Sequence, residues 1–159
     1  MSTTRLLMLC IAFVLFAVSG CDSSQARAEK AVFYENVDAG MKIYESSNWI
    51  LDSEVSSEPF NATFKQGNVR VIVSIIPSVK SLDQIKKELN LDRGYVRLIG
   101  ETADSISFQL NEKESIRSDI YLEYKNDETL LLTFFTPLEG YEVNQEIMEE
   151  FKNQIELTY

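Results

Sequence analysis

Hydrophobic and polar positions alternate along much of the chain, which is the pattern of half-buried β-strands. Phe60, Ala62 and Phe64 are each separated by one polar residue, and a short turn at residues 66–68 follows them. The next segment, Val69–Ile76, is dense in β-branched residues, which favour strands. Two such segments joined by a tight turn predict a β-hairpin.

A second group of alternating segments lies in the other half of the chain. Residues 105–110, 116–124 and 130–135 follow one another with short polar turns between them. Residues 130–135 are the most apolar of the three, so we expect this strand to be buried on both faces. The succession predicts an antiparallel meander. Residues 41–44 and 95–99 predict two further short strands.

Helical spacing replaces the alternation in two places. Ser81 and Gln84 have the spacing of a capping box and predict the start of the first helix. The second helix is predicted over residues 144–157, with Asn144 as its N-cap. The apolar stripes are Leu82, Ile85 and Leu89 in the first helix, and Ile147, Met148, Phe151 and Ile155 in the second.

The predicted order is a hairpin, a helix, a meander and a helix, which favours an α+β fold with helices on the faces of a mainly antiparallel sheet. This order, together with Trp49 shortly after the first strand, resembles the PsbP-like fold, which bacterial lipoproteins of the DcrB type share. The resemblance covers roughly residues 33–157. It implies an α-β-α sandwich and a non-catalytic role in holding or assisting a membrane-associated protein assembly.

The N-terminal residues have the features of a secretory leader. Arg5 is the only charged residue before Asp22, and residues 6–18 form an apolar run. The run is shorter than the ~20 residues that a membrane-spanning helix needs, and it suits a signal peptide. The run ends at Val18, Ser19, Gly20 and Cys21, which resemble the lipobox of bacterial lipoproteins.

The lipobox resemblance implies cleavage between Gly20 and Cys21 and acylation of Cys21 with palmitate-type chains. An ordinary signal peptide with an incidental cysteine is the alternative. In bacteria with two membranes, Asp22 resembles the signal that retains a lipoprotein in the inner membrane. We therefore expect a protein anchored in the cell envelope, facing the periplasm or the exterior. Its predicted parts are a signal peptide (1–20), a lipidated N-terminus and spacer (21–32) and one α+β domain (33–159).

Composition and charge exclude several classes of function. The formal net charge of −10 opposes binding to nucleic acid and to anionic headgroups. The chain has no histidine, so a Ser-His or Cys-His nucleophile and an imidazole zinc site are excluded. The six glycines are isolated, so the sequence lacks a phosphate-binding loop and a dinucleotide fingerprint. We expect no catalytic residues, metal ligands or cofactor.

The sequence leaves three functions open. The first is a non-enzymatic accessory or adaptor lipoprotein that binds an envelope protein partner, with Trp49, Tyr141 and Tyr159 as candidate interface residues. Burial in the core is the favoured alternative for Trp49. The second is a module that holds a small ligand or a cation between the sheet and a helix. The third, which ranks last, is a hydrolase that uses two facing carboxylates.

Overall fold

The computed structural model describes residues 30–45, 48–110 and 115–158. One compact unit extends from Ala31 to Tyr159, and its described part contains ten strands and two helices. The helices are α1 (Leu82–Glu88) and α2 (Tyr141–Lys152). The strands are β1 (Val32–Asn36), β2 (Met41–Tyr44), β3 (Ile50–Val55), β4 (Phe60–Gln66), β5 (Val69–Ile76), β6 (Val96–Glu101), β7 (Ser105–Leu110), β8 (Ile116–Lys125), β9 (Glu128–Pro137) and β10 (Ile155–Leu157).

Seven strands form one antiparallel sheet in the order β3-β4-β5-β9-β8-β7-β6. The predicted hairpin is confirmed, because β4 and β5 pair from Phe60 with Ile75 to Gln66 with Val69. The predicted meander is also confirmed, and β6 extends it to four strands. Strands β1, β2 and β10 form a smaller, separate sheet in the order β1-β2-β10.

The two helices cover opposite faces of the large sheet. Neighbouring residues of a strand point to opposite faces, so Leu131 and Leu132 of β9 mark the two sides. Leu132 belongs to a core cluster that includes Phe151 of α2, and we call this side the first face. Leu131 packs in a second cluster with Leu82 and Ile85 of α1, on the second face. The expected α+β fold, with helices on both sides of an antiparallel sheet, is therefore confirmed.

An aromatic cluster forms the centre of the core on the first face. The ring of Phe151 lies with its centroid 4.5 Å from Trp49, 5.6 Å from Phe64 and 6.1 Å from Phe134. Met41 of the small sheet is also fully buried in this core. The small sheet and α2 therefore share one face of the large sheet.

The predicted bounds of the second helix were wrong. It begins at Tyr141, directly after Gly140, whose φ of 76° is left-handed, and it ends at Lys152 rather than at residue 157. Ile155 lies in β10, which pairs with β2 through Ile155–Ile43 and Leu157–Met41. Pairing with a strand more than a hundred residues away in sequence ends the helix, and local spacing does not reveal it.

The first helix begins as predicted, because the Ser81 hydroxyl accepts a hydrogen bond from the backbone of Gln84 in a full capping box. Leu89 does not share the buried face, however. The helix ends at Glu88, so Leu89 is its C-cap and is 48% exposed. Within the described ranges, neither helix has the length and hydropathy needed to cross a bilayer.

Candidate functional site

Helix α1 covers only part of the second face. It has seven residues and is therefore about 10 Å long, whereas the ten residues of β8 extend about 33 Å. Its buried side chains, Leu82 and Ile85, pack over Ile106, Ile120 and Leu131. The remaining half of the second face has no helix over it among the described residues.

A band of apolar side chains that spans three successive register rows lies on this half and reaches the edge of the part under α1, and we call it the apolar strip: Leu98, Leu110, Ile116, Phe135 and Ile72. Each of these residues is an even number of positions along its strand from a residue that packs in or against the second cluster, so its side chain lies on the second face. The exposed fractions of Leu98, Ile116 and Leu110 are 53%, 45% and 37%. Five neighbouring strands carry the strip, which is therefore about 19 Å across. Ile72 and Phe135 are half-buried. Exposed apolar side chains grouped on one face of a sheet are typical of interaction sites.

At its β5 end the strip opens into a groove with a volume of about 450 Å³. Ile72, Ile116 and Phe135 of the strip line it, together with the cationic side chains of Lys65 and Arg70. None of the described residues that line it is acidic, although the chain has a net charge of −10. The groove is thus an apolar site with a positive rim on an acidic protein.

Asp52 offsets part of this positive charge from outside the groove. Lys65 Nζ donates a hydrogen bond to Asp52 Oδ1 at 2.6 Å, and this bond lowers the pKa of the Asp52 carboxyl below its usual value. Arg70 Nη2 is 3.7 Å from Asp52 Oδ2, and the Arg70 side chain is 58% exposed. Two cations therefore share one carboxylate, and the groove keeps a surplus positive charge.

The first face carries a different feature, a buried ion pair beneath the start of α2. Asp119 is 1% exposed, and its Oδ1 accepts hydrogen bonds from Arg117 Nε at 2.9 Å and from Ser107 Oγ at 2.5 Å. Arg117 also lies over the ring of Tyr141, 4.0 Å from its centroid. Asp119 Oδ2 has no hydrogen-bond partner among the described residues. The cluster lies inside the protein and holds α2 to the sheet.

Two of the three candidate interface residues from the sequence, Trp49 and Tyr141, do not line the groove. Trp49 is 3% exposed and packs in the core, which was the favoured alternative for it. Tyr141 is half-buried beneath Arg117. Tyr159 lies outside the described residues, as do the lipidation, cleavage and sorting positions Gly20, Cys21 and Asp22.

The strip could not be recognised from the sequence, because its apolar residues alternate with polar ones just as core-facing strand residues do. The available signal was the length of α1. A helix of two turns, starting at Ser81 and closed before residue 94, is too short to cover strands of up to ten residues.

A second cavity, of about 410 Å³, bears on the cation-binding alternative. Asp38, Glu58 and Glu128 line it together with equal numbers of uncharged polar and apolar residues. Within the described ranges, however, no three acidic, histidine or cysteine side chains are grouped closely enough to hold a metal ion. The carboxylates therefore face one cleft without converging on a point.

Alkaline pH is expected to destabilise the protein through its half-buried tyrosines. Burial, helped by the charge of Asp119, raises the pKa of Tyr121 to about 12, and burial also raises that of Tyr34 to about 12. An unfolded tyrosine titrates near ~10. The stability that each phenol contributes is therefore complete below pH ~10 and is lost as the pH rises from ~10 towards 12.

Thermal unfolding followed between pH 8 and 11.5 measures this loss. Tyr121→Phe should show a shallower fall in Tm above pH ~10 than the unmodified protein. Tyr95→Phe is the matched control, because Tyr95 is 59% exposed, and its profile should follow that of the unmodified protein. Identical slopes for all three proteins would contradict the prediction.

Comparison with known proteins identifies the fold and no closer relationship. No family profile matches the chain, and no curated protein matches its sequence. Cyanobacterial PsbP (CyanoP) from Synechocystis sp. PCC 6803 is similar in structure, with a TM-score of 0.55, 10% identity, and coverage of 83% of this chain and 95% of that one. The Ran-binding protein Mog1p of Saccharomyces cerevisiae gives a TM-score of 0.50, 9% identity, and coverage of 82% and 97%. The chain therefore has the PsbP/Mog1-like fold that its order of elements predicted.

Proposed function

We propose that this protein is a membrane-tethered, non-enzymatic adaptor of the bacterial envelope that binds a protein partner through the apolar strip. The exposure of the strip carries this proposal. Leu98 and Ile116 are 53% and 45% exposed, although they lie in strands β6 and β8 of the large sheet and not in a loop. Removing such side chains from water is favourable by about 25 cal/mol per Å² of apolar area, before the entropic costs of association are subtracted.

The tether in this proposal rests on the resemblance of residues 18–21 to a lipobox. Acyl chains on Cys21 would hold the domain at the membrane despite its net charge of −10. The spacer, residues 21–32, spans at most about 40 Å when fully extended, so the strip would act on partners in or close to the same membrane. Asp22 favours the inner membrane where two membranes are present.

The fold is compatible with a role in protein binding. Mog1p, which shares it, is described as a Ran-binding protein. At 9% identity this comparison supports the capacity of the fold to carry a binding surface, and it names no partner for this chain.

The groove supports a second candidate function, a small-ligand-binding lipoprotein. Its volume of about 450 Å³ lies in the range of small-molecule sites, and its walls combine apolar and cationic groups. Variants that keep the groove but disrupt the rest of the strip distinguish the two functions. Leu98 belongs to the strip but does not line the groove.

In-cell crosslinking of the full chain at near-native expression tests the adaptor proposal. We expect one dominant membrane partner, with capture reduced several-fold by Leu98→Asp or Ile116→Asp, because each places a charge in an interface that excludes water. Cys21→Ala, which removes the proposed lipid site, should also weaken capture.

Val37→Asp is the matched control for these substitutions. Val37 is 80% exposed and lies between β1 and β2, away from the strip. It should crosslink as the unmodified protein does. Unchanged capture by Leu98→Asp and Ile116→Asp would overturn the adaptor proposal. Loss with Ile116→Asp alone would confine the protein contact to the groove, because only Ile116 of these two lines it, and no enriched partner for the unmodified protein would favour the small-ligand function.

A further inference from the structure

The cations of the groove stand directly beside the apolar strip. In the strand register Lys65 pairs with Arg70, and Arg70 pairs with Phe135. Directly opposed residues on neighbouring strands have Cβ atoms about 5 Å apart, so the two cations and the aromatic ring form one row on the second face. A single carboxylate placed over this row reaches both cations while the carbon atoms beside it contact Phe135.

The charges of the row favour an acidic partner group. Lys65 and Arg70 lie side by side, and among the described residues Asp52 is the one carboxylate that forms an ion pair with either of them. A second carboxylate would relieve their mutual repulsion, and the planar guanidinium of Arg70 can hold it with two hydrogen bonds. An anionic membrane is a weaker candidate, because the protein as a whole carries a net charge of −10 and is repelled by it.

The length of the strip favours a helix over a small molecule. The strip extends about 19 Å across five strands, whereas the groove is lined from only three of them, β5, β9 and β8, and leaves Leu98 and Leu110 outside it. A helix of about 13 residues has this length. Helix α1 already covers the other half of the same face, so a partner helix would complete the layer that α1 begins.

We infer that the partner segment is an amphipathic helix whose apolar side lies along the strip and whose acidic end lies between Lys65 and Arg70. This inference rests on the proposed adaptor function and names the chemistry of its partner. The two cations would bind the acidic end of the helix, and the rest of the strip would bury its apolar side.

Two synthetic helical peptides test the inference with the full chain held in nanodiscs of zwitterionic lipid. Both have 14 residues and a leucine-rich side. One carries two glutamates at one end, and the other carries two lysines in their place. Fluorescence anisotropy, corrected with empty nanodiscs, gives the two values of Kd. We expect the glutamate peptide to bind about five- to tenfold more tightly. Arg70→Gln should reduce the ratio, and Arg70→Glu should abolish or reverse it.

Arg97→Glu is the matched control, since Arg97 is also exposed but pairs with Gln109 on the first face. It makes the same change in net charge and should preserve the preference. Equal affinities for the two peptides, or a preference that survives Arg70→Glu, would overturn the inference. If Ile116→Asp still weakens both peptides in that case, the strip remains a binding surface and only the acidic partner is rejected. If Ile116→Asp also has no effect, the adaptor proposal fails with it.

Discussion

Replacing Asp119 by alanine is expected to lower the free energy of unfolding by about 3–5 kcal/mol. Asp119 is 1% exposed and is held by Arg117 and Ser107. Its removal leaves Arg117, whose side chain is 21% exposed, without the carboxylate that compensates its charge. Urea unfolding of the full chain, followed through the emission of Trp49, measures the effect, because Trp49 is the only tryptophan and lies in the core.

A second variant separates the pair from the packing around it. Arg117→Met combined with Asp119→Leu removes both charges and fills their space with apolar atoms, so it should recover much of the stability that Asp119→Ala loses. Glu123→Ala is the control on the same strand, since Glu123 is exposed, and it should change stability by less than about 0.5 kcal/mol. A loss below about 1 kcal/mol for Asp119→Ala would show that the pair contributes little.

The buried pair explains how α2 is held at its start. Gly140 has no side chain, and within the described ranges no side chain caps the first turn. Arg117 does not cap these N–H groups, but it anchors the start of the helix to the sheet, because it bonds to Asp119 of its own strand and lies over the ring of Tyr141, the first residue of the helix. An aromatic face attracts a cation, so the strand and the helix are joined through one guanidinium.

Elements whose signals are local could be predicted from the sequence. The alternation at residues 60–64 and the β-branched run of β5 give the central hairpin, and the polar turns after them give the meander. The start of α1 follows from Ser81 and Gln84, because the capping box satisfies two backbone N–H groups within one turn. These features depend on residues that are close together in the sequence.

Elements whose signals are distant could not be predicted. β10 forms because Leu157 pairs with Met41, and the helical spacing of Ile155 with Phe151 conceals this. β1, which was not predicted, depends on the same small sheet. Asn144 is a suitable N-cap by type, but the left-handed turn at Gly140 starts the helix earlier. The outcome in each case depends on tertiary pairing or backbone geometry.

The candidate site also depends on tertiary packing that the sequence does not reveal. Alternation places Ile116 on the same side of β8 as Ile120, and this could be read from the sequence. It does not show that α1 packs over Ile120 and leaves Ile116 45% exposed. The exposed half of the sheet is a property of how far one helix reaches, and only the structure gives it.

Phe151→Ala is the second substitution with a large expected effect, a loss of about 3–5 kcal/mol in the free energy of unfolding. Phe151 is fully buried, and its ring contacts those of Trp49, Phe64 and Phe134. The substitution therefore leaves a cavity among the three remaining rings. Urea unfolding measures the loss, and the emission of Trp49 should also change in the folded state, because its nearest ring partner is gone.

The consequences should extend along the chain from Phe151. It is one of two buried residues that fix α2 to the sheet, and the helix leads directly into β10. We therefore expect faster amide hydrogen exchange in α2 and in Ile155–Leu157, with β7, the second strand from the far edge of the large sheet, little changed. Phe33→Ala removes the same atoms from a half-buried site and should cost only about 1 kcal/mol. Equal losses for the two variants would mean that the aromatic cluster is not the centre of this core, and uniform exchange would mean that α2 and β10 do not unfold as a unit.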